Sequence, residues 1–543
     1  MGHEINIDRI RDLEKRIEEG GGDITELKRA RNSLLNISVI TPPEILGSIF
    51  RWNVTPEGGL PPLRGFRKGT YNFLLVCHHW FEVASHMPEL WSYWGNTLEK
   101  WLGRHKRSRA TPVDLVLNGY HMVGSKTPFG EPLRDALRDR AAYDGIRSLY
   151  LWGPNLKGPL PTSIISTLTP DDEDVRDSSI ESINLLHVDI SKFFARHRFP
   201  KLWYLNLSTG VTISSWEDFG SRTTGLTTLS LTISEPSPTP TTHQLLSILT
   251  SNPRLRSLTL TTHMIPRDKI DESIAPVPLH HLKKLFLSGG FHPVFQLLRR
   301  MNRPEIMDEM ALFVSGCTVE DISGTLGPYV RDHIRRDGRF RDGLGVQVAS
   351  TPDSVSLQVS TVDSNAGWIQ GVEFANFTAE LRENVHPSVE NRLCVDFVAC
   401  TPREHVVYLN ANLKPDAVLR TVATMPKLQE LHLVNPVLGG GSFLQLGPGG
   451  PSTNETILPS LRRLHLKDVV LDDPDDWSEV ISYLTRQASG GQGISLAITG
   501  TRRPMCRLAL KRIEGLVEEL VIDLDSDDDY PHGYCSTSDS EGE

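Results

Sequence analysis

Histidine and cysteine carry most of the reactive chemistry in this chain, and their spacing limits what that chemistry can be. Histidines occur in adjacent pairs, His78–His79 and His280–His281. Neighbouring side chains point to different faces of a helix or strand, whereas a metal ion needs ligands that converge. Cys394 and Cys400 lie on the alternating stretch LCVDFVAC without a second pair at zinc spacing. Cys77 sits in the apolar run NFLLVCHHWFEVA, which fits a packed thiol better than a nucleophile. The glycine-rich stretch LGGGSFLQLGPGGPS around Gly439 lacks the Gly-Lys-Ser/Thr close and the helix start that a phosphate cradle needs, so it reads as a loop. No Gly-x-Ser-x-Gly elbow, metalloprotease helix, Walker motif or dinucleotide fingerprint occurs. These patterns predict no catalytic residue, no metal and no cofactor, and leave binding as the chemistry to look for.

Composition narrows the class of partner. With 543 residues the chain is too long for one core, and 38% hydrophobic with 23% charged residues describes a globular protein. No apolar run approaches the roughly 18 to 20 residues of a membrane span. The opening MGHEINIDRIRDLEKRIEEGGG lacks the apolar core of a signal peptide, and six scattered cysteines suit a reducing compartment, so the expected location is cytoplasmic, nuclear or both. The net charge of −10 resides in the last 27 residues, 517–543, which hold ten acids and no Lys or Arg; the rest balances 57 acids against 57 bases. Such a neutral body offers no basic face for nucleic acid. Its one basic cluster, Arg104, His105, Lys106, Arg107 and Arg109, reads as a solvated loop.

The elements that would carry binding begin at an apolar block between Pro42 and Trp91. In TPPEILGSIF, Pro42 and Pro43 suit a helix start, and Ile45, Leu46, Ile49 and Phe50 recur at helical spacing. In NFLLVCHHWFEVA, Leu75, Val76, Trp80 and Val83 do the same, and in MPELWSYW, Pro88 starts a turn that puts Leu90 and Trp91 on one face. Three short helices cannot bury so many large apolar groups among themselves, so a surface is left for a partner.

The PPEIL opening, the VCxxW centre at Val76, Cys77 and Trp80, and the PELW close from Pro88 to Trp91 together resemble the F-box in the form common in large fungal families. That module docks substrate receptors on the SCF-type cullin–RING ubiquitin ligase. The resemblance implies an SCF adaptor subunit and cullin as partners, and a docking surface and core built from Pro43, Glu44, Ile45, Leu46, Ile49, Phe50, Leu75, Val76, Cys77, Trp80, Val83, Leu90 and Trp91. Two positions depart from the family: Thr41 stands where Leu is usual, and residues 51–72 form an insertion longer than the usual first loop.

After about residue 140 a hexapeptide recurs: IRSLYL at Ile146, IESINL at Ile180, LWYLNL at Leu202, LTTLSL at Leu226, LRSLTL at Leu255, LKKLFL at Leu282, LQELHL at Leu428 and LRRLHL at Leu461. The copies mostly lie roughly 22 to 34 residues apart, the range of leucine-rich repeats, in which alternate side chains point inward and each unit buries its edge on the next. The stretch TTHQLLSILTSNPRL reads as the helix between two strands. Between residues 300 and 420 alternation persists in LGVQV at Leu344, VSLQV at Val355 and LCVDFV at Leu393, so the repeat array is expected to continue there with longer insertions. The copies resemble the irregular leucine-rich repeats found behind an F-box, although most lack the usual Asn after the strand.

The expected fold is therefore α/β. A helical hairpin spans 1–37, with Asp23 and Glu26 as a capping box, followed by an F-box-like domain at 38–100 and a connector at 101–140. A leucine-rich-repeat solenoid covers 141–522, and a disordered acidic tail 523–543. Within VEELVIDLDSDDD, Val521, Ile522 and Leu524 followed by acids resemble a SUMO-interacting motif, yet VEELVI fits equally well as one more repeat strand. The function expected is a non-enzymatic substrate-recognition adaptor of an SCF-type ligase that holds an unidentified protein target through its repeats. The alternative is a non-catalytic leucine-rich-repeat scaffold unconnected with ubiquitin.

Overall fold

Aliphatic residues at alternate positions of a short segment give a strand with a dry face, and every one of the eight hexapeptides contributes such a strand. The computed structural model describes residues 7–20, 23–34, 41–54, 78–91, 93–94, 111–118, 144–152, 165–169, 175–233, 238–261, 264–266, 268, 275–304, 307–315, 319–336, 343–351, 354–361, 377–382, 401–412, 422, 425–434, 437–438, 458, 460–471, 477–489, 491, 493–500 and 507–523. They divide into two units, residues 1–280 and 281–543. The fold is mixed α/β with parallel strands. Among the described residues no helix is long and apolar enough to cross a membrane.

The first unit opens with the hairpin α1 (Ile7–Glu18) and α2 (Ile24–Leu34), whose buried contacts are Leu13 and Leu27. Asp23 Oδ1 caps α2 by accepting from Thr25 N at 2.8 Å. Two further helices, α3 (Pro43–Val54) and α4 (His78–Ser85), precede the sheet. Its strands are β1 (Tyr93–Trp94), β2 (Val113–Asn118), β3 (Ile146–Trp152), β4 (Ser182–Leu185), β5 (Tyr204–Leu207), β6 (Thr228–Leu231) and β7 (Ser257–Leu260). Each pairs in parallel with the next in chain order. Register aligns Leu149, Ile183, Leu205, Leu229 and Leu258 in one row and Leu151, Leu185, Leu207, Leu231 and Leu260 in another. All ten are 0% exposed. Each fully buried aliphatic side chain in these rows contributes about 2 kcal/mol.

One helix follows each of β4, β5 and β6: α5 (Ser191–Arg196), α6 (Trp216–Arg222) and α7 (Thr242–Thr250). Phe193, Phe194, Phe199 and Phe219 interlock between them, the Phe194 and Phe219 rings 5.1 Å apart. A full capping box of Thr241 and Gln244 starts α7. Asn252, wholly buried, joins the helix to the strand layer. Its Oδ1 accepts from Leu226 N at 2.8 Å while its Nδ2 donates to Thr223 O and Ile248 O.

In the second unit the strands are β8 (Lys284–Gly290), β9 (Glu309–Ser315), β10 (Leu344–Thr351), β11 (Ser354–Thr361), β12 (Phe377–Arg382), β13 (Val406–Asn412), β14 (Glu430–Val434), β15 (Arg463–Lys467), β16 (Ser495–Thr499) and β17 (Glu519–Asp523). Its helices are α8 (Phe291–Arg300), α9 (Gly327–Arg336), α10 (Trp477–Ser489) and α11 (Arg507–Glu514). The sheet runs β8-β9-β12-β11-β10-β13-β14-β15-β16-β17. The middle of this order departs from a sequential array: β10, β11 and β12 are inserted in reverse, and β11 is antiparallel to both neighbours. Only Pro352 and Asp353 separate β10 from β11, too few residues for a parallel crossover, so a hairpin forms. The LCVDFV stretch lies outside the described residues.

Strands are left through backbone that favours glycine. His187 (φ 54°) stacks on Gly210 (φ 75°) and Asp468 (φ 54°) on Gly500 (φ 65°), so that a Cβ at either glycine would overlap the His187 ring or the Asp468 carboxylate.

Candidate docking site and the strand face

Pro43 is the first residue of α3, and Glu44 in the first turn complements the helix dipole. Pro42 O accepts from Ile45 N and Leu46 N at 3.0 and 3.1 Å. The single-turn helix Pro88–Trp91 begins at a proline, which is why α4 stops just before it. Leu46 and Phe50, four apart and both 0% exposed, meet Ala84 and Leu90, with Trp80, Val83 and Met87 packed around them. Trp80 lies edge-on to Phe50 at 5.3 Å and 62°. Gly47 lets Met87 approach: a Cβ there would lie 3.1 Å from Met87 Cε. Ile45 and Ile49, one position earlier in each turn, are 53% and 41% exposed. Phe81 on α4 is 39% exposed. Beside the core a groove of about 700 Å³ is lined by Glu44, Gly47, Ser48, His79, Glu82 and His86, among others. Here His79 Nε2 has no hydrogen-bond partner among the described residues.

The block read from the sequence as one set thus divides into two. Leu46, Phe50 and Leu90 are core, Trp80 and Val83 are half-buried around them, and Pro43, Glu44, Ile45 and Ile49 face outward. Trp91 belongs to the short helix, and Leu75, Val76 and Cys77 lie outside the described residues. Val521 and Ile522 fall on β17, paired with Ala497 and Ile498, while Leu524 lies outside the described residues. The chain matches no protein-family model and no curated protein.

Opposite the leucine rows, each sheet presents side chains on its other face. From β3 to β7 of the first unit they are neutral: Ser148, Ser182, Tyr204, Thr228 and Ser257 in one row, Tyr150, Asn184, Asn206, Ser230 and Thr259 in the next. On β2 the first row continues to Asp114, which pairs with Arg147, and Ser148, Tyr150, Ser182, Asn184 and Tyr204 are themselves buried. Asn206 Nδ2 donates to Asn184 Oδ1 at 3.2 Å, and burial raises the pKa of both Tyr150 and Tyr204.

The second unit carries a polar cluster that leucine spacing does not reveal. Tyr408, Glu430 and Arg463 share one row and Asn410, His432 and His465 the next. Arg463 Nη1 donates to Glu430 Oε1. His465 Nε2 lies 3.0 Å from Thr499 Oγ1 and its Nδ1 3.3 Å from His432 Nδ1. Burial, then the charges of His465 and Arg463, bring His432 down to about 4. Burial and Lys467 lower His465, and burial raises Tyr408 to about 12. A hydroxyl beside an imidazole suggests a nucleophile and base, but the group behind His465 is a second imidazole. The nearest carboxylate, Glu430, has its Oε2 3.9 Å from His432 Nε2 and is committed to Arg463 through its other oxygen. An imidazolium formed here would lack the charge that a third member must supply. The arrangement suits recognition of a neutral or polar side chain. Its sequence signal was available: histidine in the fifth position of both LQELHL and LRRLHL.

Proposed function

We propose that the chain is the substrate-recognition adaptor of an SCF-type ubiquitin ligase. Its α3, α4 and Pro88–Trp91 helices dock the ligase's adaptor subunit, and exposed strand-face side chains that follow them in the chain hold a protein target. The observation that supports this reading is the exposure of Ile45 and Ile49 on a helix whose core, Leu46 and Phe50, is already complete. Two β-carbon-branched apolar side chains at i, i+4 beside a polar-rimmed groove match what a partner helix would bury. The protein then contributes by proximity, raising the concentration of target lysines near the charged ubiquitin carrier.

The test is affinity capture with the full chain from an extract of its source organism, comparing the parent with Ile45→Asp/Ile49→Asp. Both substituted positions are exposed, so the variant keeps its fold, which circular dichroism checks. Recovery of the SCF adaptor subunit and cullin with the parent and their loss with the folded variant is the expected result. Failure of the parent to recover either subunit ends the proposal.

A further inference from the structure

Strand β17 closes the second unit's sheet, and its last edge is incomplete in three respects. Glu519–Asp523 pairs in register with Ser495–Thr499 on one side, and among the described residues nothing pairs with the other. In the dry rows that end here, Leu464, Leu496, Leu466 and Ile498 are 0% exposed, whereas Leu520 and Ile522 are only half-buried. Val521, on the opposite face, is 41% exposed. The backbone also has donors to give. Glu518 N donates inward to Ile494 O, and alternation along a strand turns the N–H groups of Glu519 and Val521 toward the open edge.

Charge selects what can complete that edge. Glu514, Glu518, Glu519 and Asp523 are all exposed, and the sequence continues with Asp525, Asp527, Asp528 and Asp529. A second copy pairing through the same edge would set acid against acid, which is destabilising for cross-strand neighbours, and the chain's own acidic C-terminal residues meet the same repulsion. Lys511 and Arg512 belong to α11 and not to the strand. We infer that the free edge of β17 docks an extended, lysine- or arginine-rich segment of a partner protein as one added strand. Main-chain hydrogen bonds supply the affinity, and Glu519 and Asp523 supply the selectivity. This differs from an isolated linear motif, because Leu520 and Ile522 stay in the protein's own sheet. It also stands independently of the helical docking step of the ligase reading, whose residues lie in the other unit.

Fluorescence anisotropy on the full-length protein tests it, with two labelled eight-residue peptides as probes, one alternating lysine and valine and one alternating glutamate and valine. The lysine peptide binds at least about tenfold tighter than the glutamate peptide, and Glu519→Lys/Asp523→Lys reverses that order. Val521→Pro removes an outward N–H without touching the inward bonds and weakens the lysine peptide by about tenfold. Hydrogen exchange supplies a readout that general charge attraction does not move: the amides of Glu519 and Val521 slow on binding. Equal binding of the two peptides, or lysine-peptide binding that survives both variants without protection at these amides, overturns the inference.

Discussion

His432 lies between the Tyr408 ring, 4.9 Å away, and the His465 ring, 4.8 Å away, with Glu430 and Arg463 in the adjoining row. Burial and the neighbouring charges bring its pKa to about 4, below the value of about 6.5 of an exposed histidine. As pH falls the unfolded chain therefore takes up a proton first. The contribution of the neutral imidazole is complete above about pH 6.5 and is lost as pH drops toward 4. His465, also lowered, acts in the same direction. Urea unfolding at pH 7 and pH 4.5 should show the parent losing on the order of 2 kcal/mol more than His432→Gln over that interval. Parallel losses in the two proteins would mean that this imidazole is not held neutral by the strand face.

At the scale of elements, the strand exits and the helix-to-strand joint carry constraints that leucine periodicity does not reveal. Gly500→Ala forces a side chain into left-handed backbone and against Asp468, and should destabilise by about 1 to 3 kcal/mol. Asn252→Ala leaves Leu226 N and Thr223 O without their side-chain partner in a buried site, with a cost of about 2 to 4 kcal/mol. Thermal unfolding reads both, and Gly491→Ala serves as a control. Gly491 is also left-handed, at φ 75°, but has open space around it and should cost less than Gly500. These positions also mark where the sequence was legible. The hexapeptides announced their strands because one leucine face repeats, and the helix at Thr242–Thr250 followed from Leu245, Leu246, Ile248 and Leu249. Leucine spacing does not reveal that left-handed His187, Gly210, Asp468 and Gly500 follow their strands, nor that a buried Asn252 stands before β7. The reversed order of β10, β11 and β12 was not legible, since LGVQV and VSLQV have the same alternation in a parallel or an antiparallel pair, and only the short PD link decides. Nor could spacing alone separate Ile45 and Ile49 from Leu46 and Phe50, because all four fit one broad apolar stripe until their neighbours are known.

On the scale of the whole molecule, the two proposed binding surfaces fall in different units: the α3–α4 face within residues 1–280 and the β17 edge within 281–543. Coupling between sites requires an element with two arrangements whose equilibrium both ligands bias. Each surface here is finished locally, the first by Leu46, Phe50, Ala84 and Leu90, the second by pairing with β16. Neither needs the other to exist. The expected behaviour is additive, so that Ile45→Asp/Ile49→Asp leaves the affinity for the alternating lysine–valine peptide within about twofold of the parent, and Glu519→Lys/Asp523→Lys leaves recovery of the SCF adaptor subunit unchanged. A four-protein cycle of parent, two single-site variants and their combination measures this with both readouts. A peptide affinity that changes by about tenfold when only the helical face is altered would instead require a shared two-state element. Additivity would mean that a basic partner strand can be held at β17 while the helical face is occupied.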